Sequence, residues 1–409
     1  MLGSRRTPAD ENLRWLMLAY LSISLVFSIS TWFSATAVIP QLRSLWGLTP
    51  TTAAWMTIAV QLGFVIGAVI SSLFNIADLL SSRYVIMLGS LGAALANFLL
   101  LFSDGPGIGI PLRFMTGFFI AGIYPPAFKL MSTWFRENRG LALGILAAAL
   151  VIGNGTPHLI NGLGGLDWRV AISVTSLQAL GGGLIAVFLV REGPYPFPKA
   201  VANIRQIGLA LANRGVRLAT LGYVGHMWEL FAMSAWILLF FVDVFNFHGI
   251  EFIAAAPFAV FVVHVFGGIG SWLGGVLADR WGRTNTTILL MALSGSCAVL
   301  IGLFYQSSLF LTLLISLIWG ITIVGDSAQF STIVTETADQ SYVGTALTVQ
   351  LAAGFAVTVV TIWLLPFIQE WFSWRWAFSL LAIGPIMGIW AMLRLKSSPA
   401  VAKIGGGKG

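Results

Sequence analysis

Long apolar runs separated by short polar connections fill the chain from about residue 14 to residue 395. Most of these runs approach the twenty residues that an α-helix needs to cross a bilayer. The pattern predicts an all-α integral membrane protein with twelve transmembrane helices, numbered here as spans 1–12. Their predicted bounds are 14–39, 51–73, 84–103, 109–133, 140–162, 169–190, 217–244, 251–275, 285–305, 308–335, 343–368 and 375–395.

One connection is longer than the others. Residues 191–216 contain prolines at the alternate positions 194, 196 and 198, followed by a basic amphipathic segment. Prolines at this spacing are typical of a linker. This linker divides the chain into a six-helix bundle over 1–190 and a second six-helix bundle over 217–409, which ends in a short tail.

Composition agrees with a membrane protein and excludes other classes. Charged residues make up 9% of the 409 residues, whereas a soluble globular protein carries about 25%. The single cysteine, Cys297, excludes an internal disulfide. The sequence contains no CxxC, HExxH or glycine-rich phosphate-loop motif, so we expect no metal, no cofactor and no enzymatic activity.

The net charge of +7 is explained by its placement along the chain. With the N-terminus in the cytoplasm, 18 of the 22 Lys and Arg residues fall on the cytoplasmic side of the spans and three fall outside. The positive-inside rule therefore predicts a multi-pass protein of the cell (inner) membrane with both termini cytoplasmic. The expected partners are the lipid bilayer and a small molecule, and not nucleic acid.

Short matches at a nearly constant spacing indicate two homologous halves. Gly117 in "GFFIAG" aligns with Gly320 in "GITIVG", and "WRVA" at 168–171 aligns with "WRWA" at 374–377. "STW" at 30–32 aligns with "SAW" at 234–236, so span 1 has a counterpart and we do not interpret it as a signal peptide. Both halves begin after an even number of spans, so the repeats are parallel, as in one class of secondary transporters.

The stretch "GGVLADRWGR" (274–283) places an acid and two arginines between two apolar runs. It resembles the signature that the major facilitator superfamily carries between its second and third spans and repeats between its eighth and ninth. The first-half copy, "SLFNIADLLSSR" (72–83), keeps the acid but lacks the glycines. The resemblance covers nearly the whole chain and implies a transporter with twelve helices in two parallel six-helix repeats.

We interpret the two copies of this motif as a conformational gate whose contacts form in one state and break in the other. An aspartate at a helix end can accept from the N–H groups of a neighbouring helix, and arginines can bridge it to the other half. A basic loop that only fixes topology is the alternative. The predicted gate residues are Asp78, Arg83, Gly275, Asp279, Arg280, Gly282 and Arg283.

Two further stretches resemble the same family. Arg113 and Gly117 in "RFMTGFFIAG" match its fourth-span arginine motif. The stretch "STWFRENRGLALG" (132–144) resembles the link between spans 4 and 5 in branches that carry organic anions and nitrate. The resemblance also implies that spans 1, 4, 7 and 10 line a central cavity.

Ionisable residues inside spans are costly and mark functional sites by default. Arg113 lies in span 4, Glu229 near the middle of span 7 and Asp326 in span 10. We expect Arg113 to contact an anion and the two acids to contact substrate or couple protons, with structural ion pairs as the alternative. His158 and His264 are interpreted as packing residues. The predicted substrate-binding residues are Arg113, Glu229, Asp326, Trp32, His226, Trp236 and Gln329, and the predicted proton-coupling residues are Glu229 and Asp326.

The leading hypothesis is a monomeric secondary transporter that moves a small organic or inorganic anion by alternating access, as a proton symporter. An exporter of hydrophobic or drug-like compounds, working by proton antiport, is the alternative within this class. A membrane-embedded enzyme or sensor is a remote alternative. An intramembrane hydrolase would need clustered catalytic groups, and the four histidines are scattered over three spans and a loop.

Overall fold

The computed structural model describes residues 8–74, 80–135, 138–165, 167–195, 206–252 and 254–407. Within these residues, 11 helical stretches are long and apolar enough to cross a membrane. The last, Val343–Lys396, has 54 residues, which at about 1.5 Å per residue is more than twice the thickness of the hydrocarbon core. Ser373 interrupts it with φ 56° and ψ 177°. The stretch therefore holds spans 11 and 12, and the twelve-helix prediction is confirmed.

The helices agree with the predicted spans to within several residues, apart from the interruptions described below and the break at Ser373, after which residues 374–377 belong to span 12. They are Pro8–Ile29 (span 1), Pro50–Leu73 (2), Ser82–Phe98 (3), Pro106–Ile120 and Tyr124–Ser132 (4), Arg139–Leu163 (5), Trp168–Phe188 (6), Arg214–Phe247 (7), Ala255–Trp281 (8), Arg283–Phe304 (9), Leu309–Gly325 and Ser327–Thr337 (10), Val343–Ala377 (11) and Ile383–Lys396 (12). Short helices at Ile39–Trp46 and Ile207–Ala212 lie between spans.

Span 1 is shorter than predicted. It was expected to continue to residue 39, but its helix ends at Ile29 and is followed by turns and a 3-10 turn, Thr36–Val38. Hydroxyl side chains in this segment bond to nearby backbone carbonyls, for example Ser34 Oγ to Thr31 O at 3.0 Å. Such local bonds compete with helical hydrogen bonding. The prediction counted apolar residues and did not weigh this hydroxyl-rich stretch.

Span 4 is interrupted after Ile120, where the sequence places Pro125 and Pro126 in the next turn. A proline has no N–H to donate to the carbonyl four residues earlier, so the helical hydrogen bonds of residues 121 and 122 are lost. The predicted span 109–133 is therefore two helices in line.

The two halves of the chain share a glycine-mediated helix crossing. A Cβ at Gly67 would lie 2.5 Å from Phe118 O, and a Cβ at Gly270 would lie 2.0 Å from Ile321 O. Gly270 follows Gly67 by 203 positions, and Ile321 follows Phe118 by the same 203 positions. Gly117 approaches Val60 and Gly320 approaches Val263 at the same offset. The predicted repeat is thus visible in the contacts of span 2 with span 4 and of span 8 with span 10.

Spans 1–6 (the N-terminal half) meet spans 7–12 (the C-terminal half) along two seams. Span 5 packs on span 8, and span 2 packs on span 11. We call the side where span 6 ends and span 7 begins the linker face and the opposite side the far face. The bundle boundaries predicted at 190 and 217 stay a prediction, and the connection between them includes the short helix Ile207–Ala212.

The seam between spans 5 and 8 is closed toward the far face and open toward the linker face. A Cβ at Gly162 would meet Pro257 at 3.4 Å, and one at Gly155 would meet His264 at 2.6 Å. At the linker-face ends, a Cβ at Gly144 or Gly275 would have no neighbour within 4 Å. The two helices therefore separate as they approach the linker face.

The substitution Gly117→Ala should destabilise the fold. Its new methyl would lie 2.0 Å from Val60 O, which is backbone and cannot rotate away. Overpacking of this kind costs about 1–3 kcal/mol. We expect a lower thermal unfolding temperature for purified Gly117→Ala in detergent than for the wild-type protein.

The matched control is Gly107→Ala in the same helix, where a Cβ would meet nothing within 4 Å. This variant should unfold at the wild-type temperature. Equal unfolding temperatures for both variants would show that the crossing of spans 2 and 4 tolerates a side chain.

Candidate functional site

Arg113 is fully buried in span 4 and holds the interrupted part of span 1. Its Nη1 donates to Thr31 O at 2.9 Å, and its Nη2 donates to Trp32 O. Because the helix has ended at Ile29, these carbonyls have no partner within the helix. The remaining acceptors are Ser34 Oγ at 3.1 Å, Asn97 Oδ1 at 3.3 Å and Met56 O at 3.3 Å.

The hydrogen-bond acceptors around Arg113 belong to the protein, whereas the sequence predicted that its guanidinium contacts an anionic substrate. A guanidinium has five N–H donors and must satisfy them when it is buried. All three nitrogens of Arg113 are occupied by acceptors of the N-terminal half. The guanidinium is therefore a positioning group in this conformation, and its predicted contact with substrate stays a prediction.

Four aromatic rings from both halves meet at the centre of the bundle. We call Trp32, Phe64, Phe231 and Phe355 the central aromatic cluster. Trp32 lies 4.9 Å from Phe64 and 5.9 Å from Phe231 between ring centroids, and Phe355 lies 4.9 Å from Phe64 and 5.2 Å from Phe231. Spans 1, 2, 7 and 11 each supply one ring, so the cluster spans the boundary between the halves.

Two polar groups in or next to this cluster lack hydrogen-bond partners among the described residues. One is the indole Nε1 of Trp32, whose residue is 4% exposed. The other is the amide of Gln61, three residues before Phe64 on the same helix face and 0% exposed. Unsatisfied polar groups are rare in protein interiors, and a ligand is one explanation for them.

Sequence reasoning identified Trp32 but missed Gln61 and the three phenylalanines. An apolar residue that faces the centre of a bundle has the same sequence signal as one that faces lipid. Gln61 did carry a signal, because it is a polar residue in the middle of an apolar span.

The carboxylate of Glu229 is buried and accepts hydrogen bonds from two side chains of its own half. Ser294 Oγ donates to Glu229 Oε2 at 2.9 Å, and Trp319 Nε1 donates to Glu229 Oε1 at 2.7 Å. These partners lie on spans 9 and 10, and Glu229 is 1% exposed. His226, three residues before Glu229 on span 7, contacts a different acid, Asp326.

His226 and Asp326 form a buried contact between spans 7 and 10. His226 Nδ1 lies 2.9 Å from Asp326 Oδ1, and both side chains are almost fully buried. The two atoms are close, but their geometry is not that of a well-aligned hydrogen bond, and the contact is an ion pair only when His226 carries a second proton. Asp326 thus has a partner within its own half, and its predicted contact with substrate or a proton stays a prediction.

The other two predicted substrate residues lie away from the centre. Trp236 donates from Nε1 to Ile362 O at 3.0 Å and lines a far-face pocket of about 90 Å³ together with Arg43 and Asp243. Gln329 Oε1 accepts from Arg283 Nη1 at 3.1 Å, so Gln329 belongs with the predicted gate.

Arg283 is the best-connected residue of the gate motif. Its Nε donates to both carboxylate oxygens of Glu336, and its Nη2 donates to Glu336 Oε1 at 2.9 Å. Glu336 Oε2 also accepts from the backbone N–H of Gly405 in the C-terminal tail. These partners belong to the C-terminal half, and no bridge from Arg283 to the other half is formed among the described residues, which exclude 75–79.

The glycines of the motif have distinct roles. Gly282 joins spans 8 and 9 with φ +88°, a conformation that L side chains rarely adopt. The close approach of spans 8 and 10 occurs at Gly274, one residue before Gly275, because a Cβ at Gly274 would lie 1.8 Å from Gly325 O. Gly275 instead faces the open end of the seam.

The remaining gate residues are placed as follows. Asp279 and Arg280 are exposed at the linker face. Arg83 donates from Nη2 to Tyr84 OH at 3.3 Å and stacks on that ring. Asp78 lies outside the described residues.

Comparisons with known proteins agree with this architecture. Residues 21–357 match the Major Facilitator Superfamily. An MFS-type transporter of Gibberella moniliformis is 26% identical over 60% of this chain, and a probable sulfoacetate transporter, SauU, of Cupriavidus necator is 25% identical over 54% of it. The matched regions span 58% and 56% of those two proteins.

Solved structures show the same fold. A bacterial homologue of the human lysosomal transporter Spinster, in an inward-facing and occupied conformation, superposes with a TM-score of 0.70 at 14% identity. That comparison covers 97% of this chain and 98% of the homologue. The chain therefore belongs to the Major Facilitator Superfamily, whose members are multi-pass membrane transporters and not enzymes.

Proposed function

We propose that the chain is a secondary active transporter that moves a small organic anion across the membrane by alternating access. The observation that carries this proposal is the central aromatic cluster, to which both halves contribute rings. A site shared by two halves becomes open to opposite sides of the membrane when one half rocks against the other.

The chemistry of the cluster supports an organic solute over an inorganic anion. Aromatic faces favour apolar or planar groups, whereas an inorganic anion would lose its hydration against apolar walls. The unpartnered N–H of Trp32 supplies a donor for a carboxylate or sulfonate oxygen. The relative from Cupriavidus necator is named for sulfoacetate, which is a small organic anion.

Proton coupling and orientation belong to the same proposal. The Lys and Arg distribution supports a cell-membrane location with both termini in the cytoplasm. Glu229 and Asp326 remain predicted proton carriers, but a carrier must change its surroundings between the two states. Their partners Ser294, Trp319 and His226 lie in the same half and would move with them as that half rocks.

Export of hydrophobic compounds is the second candidate. It is favoured by the apolar character of the central cluster and by the complete engagement of Arg113 with backbone and side-chain acceptors. An exporter of this kind would bind compounds that carry no anionic group, whereas a transporter of organic anions would not, so the charge of the bound compounds distinguishes the two functions.

The test is a thermal-shift screen of purified protein against organic acids, inorganic anions and neutral hydrophobic compounds. Each compound that binds is then tested for counterflow in proteoliposomes. Stabilisation and counterflow by organic acids support the proposal. Stabilisation by neutral hydrophobic compounds alone would replace it with the exporter, and binding of inorganic anions alone would reject the role of the aromatic cluster.

The substitution Trp32→Phe should weaken the binding of an organic anion and leave the cluster packed. The phenyl ring keeps an aromatic face but removes the indole N–H, which has no protein partner to lose. A hydrogen bond to a charged group contributes about 1.5–3 kcal/mol, or roughly tenfold or more in affinity. Isothermal titration calorimetry of the purified variant, with an organic acid that binds the wild-type protein, measures the change in affinity.

The matched control is Trp228→Phe in span 7, where the indole N–H already donates to Leu380 O at 3.2 Å. This variant should bind the anion with wild-type affinity. An unchanged affinity in Trp32→Phe would show that the indole N–H does not contact the solute.

The Arg283–Glu336 pair joins spans 9 and 10, so it should help the C-terminal half to move as one body, and its loss should slow the conformational change. Because the pair is partly exposed, at 19% and 25%, its loss is expected to cost about 1 kcal/mol, or roughly fivefold in rate. Arg283→Glu and Glu336→Arg should each slow counterflow, and the double exchange should recover part of the rate. Arg217→Glu, at an exposed arginine of span 7, is the control. If the double exchange slows counterflow by as much as the effects of the two single substitutions combined, the two residues do not act as a pair.

A further inference from the structure

Two histidines face each other across the seam between the halves. His158 lies in span 5 and His264 in span 8, with their ring centroids 6.0 Å apart and their planes inclined by 26°. His158 is 0% exposed and His264 is 7% exposed. The pair lies in the closed part of the seam, where a Cβ at Gly155 would be 2.6 Å from His264 Cβ.

The hydrogen bonding of these rings is incomplete. His264 Nδ1 lies 2.9 Å from Val260 O, which fixes the proton on that nitrogen and leaves Nε2 as the basic atom. His158 has no hydrogen-bond partner at Nδ1 or at Nε2 among the described residues, although both atoms are buried. A buried imidazole without a partner is costly and is not explained by packing alone.

His264 is the titratable group that faces His158 and acts on it electrostatically. None of the ionisable residues on the other packed helices forms a hydrogen bond or an ion pair with either histidine in the described part of the chain. These residues include Tyr20 of span 1, Tyr124 of span 4, Arg169 of span 6, Glu229 of span 7 and Asp326 of span 10. A proton added to the pair would therefore be a buried cation without a counterion.

The pair borders the central aromatic cluster. His264 lies 6.4 Å from Phe33, which lies 6.2 Å from Phe231, a member of the cluster. A solute in contact with these rings could extend an anionic group toward the histidines. That anion would offset the cost of burying the proton, so proton and anion would each favour the binding of the other.

We propose that His158 and His264 form the proton-binding site that couples transport, with the carboxylate of an organic solute as the counterion of the bound proton. When the seam opens at the far face, a proton from water adds to a free ring nitrogen and the anion enters beside it. When the seam opens at the linker face, both leave to water. This inference rests on the proposed function and replaces the interpretation of these histidines as packing residues.

The geometry of the seam suits this role. The two histidines lie on different halves, so rocking separates them, whereas the partners of Glu229 and Asp326 move with those acids. Stacked rings do not direct two nitrogen lone pairs at one point, which disfavours a shared metal ion. A proton with an anionic partner satisfies the unpartnered nitrogens of His158.

The experiment measures the binding of benzoate, an aromatic carboxylate, to purified protein between pH 7.5 and pH 5.5. Binding linked to one proton should strengthen by up to about tenfold per pH unit over part of this range. His158→Gln and His264→Gln should flatten this dependence. His248→Gln should keep it, because its ring nitrogen already contacts Tyr305 O at 3.1 Å near the far face. Thermal unfolding of each variant confirms that it is folded.

Each outcome decides between the two proposals. Benzoate binding that does not depend on pH in the wild-type protein, or that keeps its pH dependence in both histidine variants, overturns this inference and leaves the proposed function intact. A pH dependence that is lost in Glu229→Gln or Asp326→Asn, and kept in His158→Gln, assigns the proton to that acid. Absence of benzoate binding at every pH rejects the inference for an aromatic carboxylate, and the thermal-shift screen of organic acids decides separately whether the proposed function stands.

Discussion

The contact between Arg113 and the interrupted backbone of span 1 is the constraint on which the centre of the protein depends. The end of the helix at Ile29 frees the carbonyls of Thr31 and Trp32 inside the bundle, where water cannot satisfy them. A guanidinium has the donors and the rigid planar shape to hold both. By fixing the Trp32 backbone, Arg113 also fixes where the indole ring enters the central aromatic cluster.

Several polar groups of the bundle fall into two sets. Those of the first set have their partners within the C-terminal half and would move with it as a body. Those of the second set lie at the boundary between the halves and have no hydrogen-bond partner among the described residues, which leaves them available to a solute or a proton. The paired groups are Glu229 with Ser294 and Trp319, His226 with Asp326, and Arg283 with Glu336, and the unpartnered groups are Trp32 Nε1 and both ring nitrogens of His158.

The sequence predicts what depends on local composition and on repetition. Apolar length located the spans, and the alignment of Gly117 with Gly320 predicted the repeat, whose two copies share a helix crossing in the structure. Contacts between distant helices could not be predicted in this way. Arg113 was expected to contact an anion. Its acceptors in the structure are the backbone carbonyls of Thr31 and Trp32, and a pattern of residue types does not show which backbone carbonyls are free to accept. Phe231 and Phe355 were missed because lipid-facing and centre-facing phenylalanines look alike.

The most direct measurement is the thermal unfolding temperature of ligand-free Arg113→Lys in detergent, compared with the wild-type protein and with the exposed control Arg217→Lys. Lysine keeps the charge but cannot donate to both carbonyls at once, and each lost hydrogen bond from the charged group should cost about 1.5–3 kcal/mol. If Arg113 holds span 1, Arg113→Lys unfolds several degrees below the wild-type protein without any ligand, and the control does not. An unchanged unfolding temperature combined with lost anion binding would show instead that Arg113 serves the solute directly.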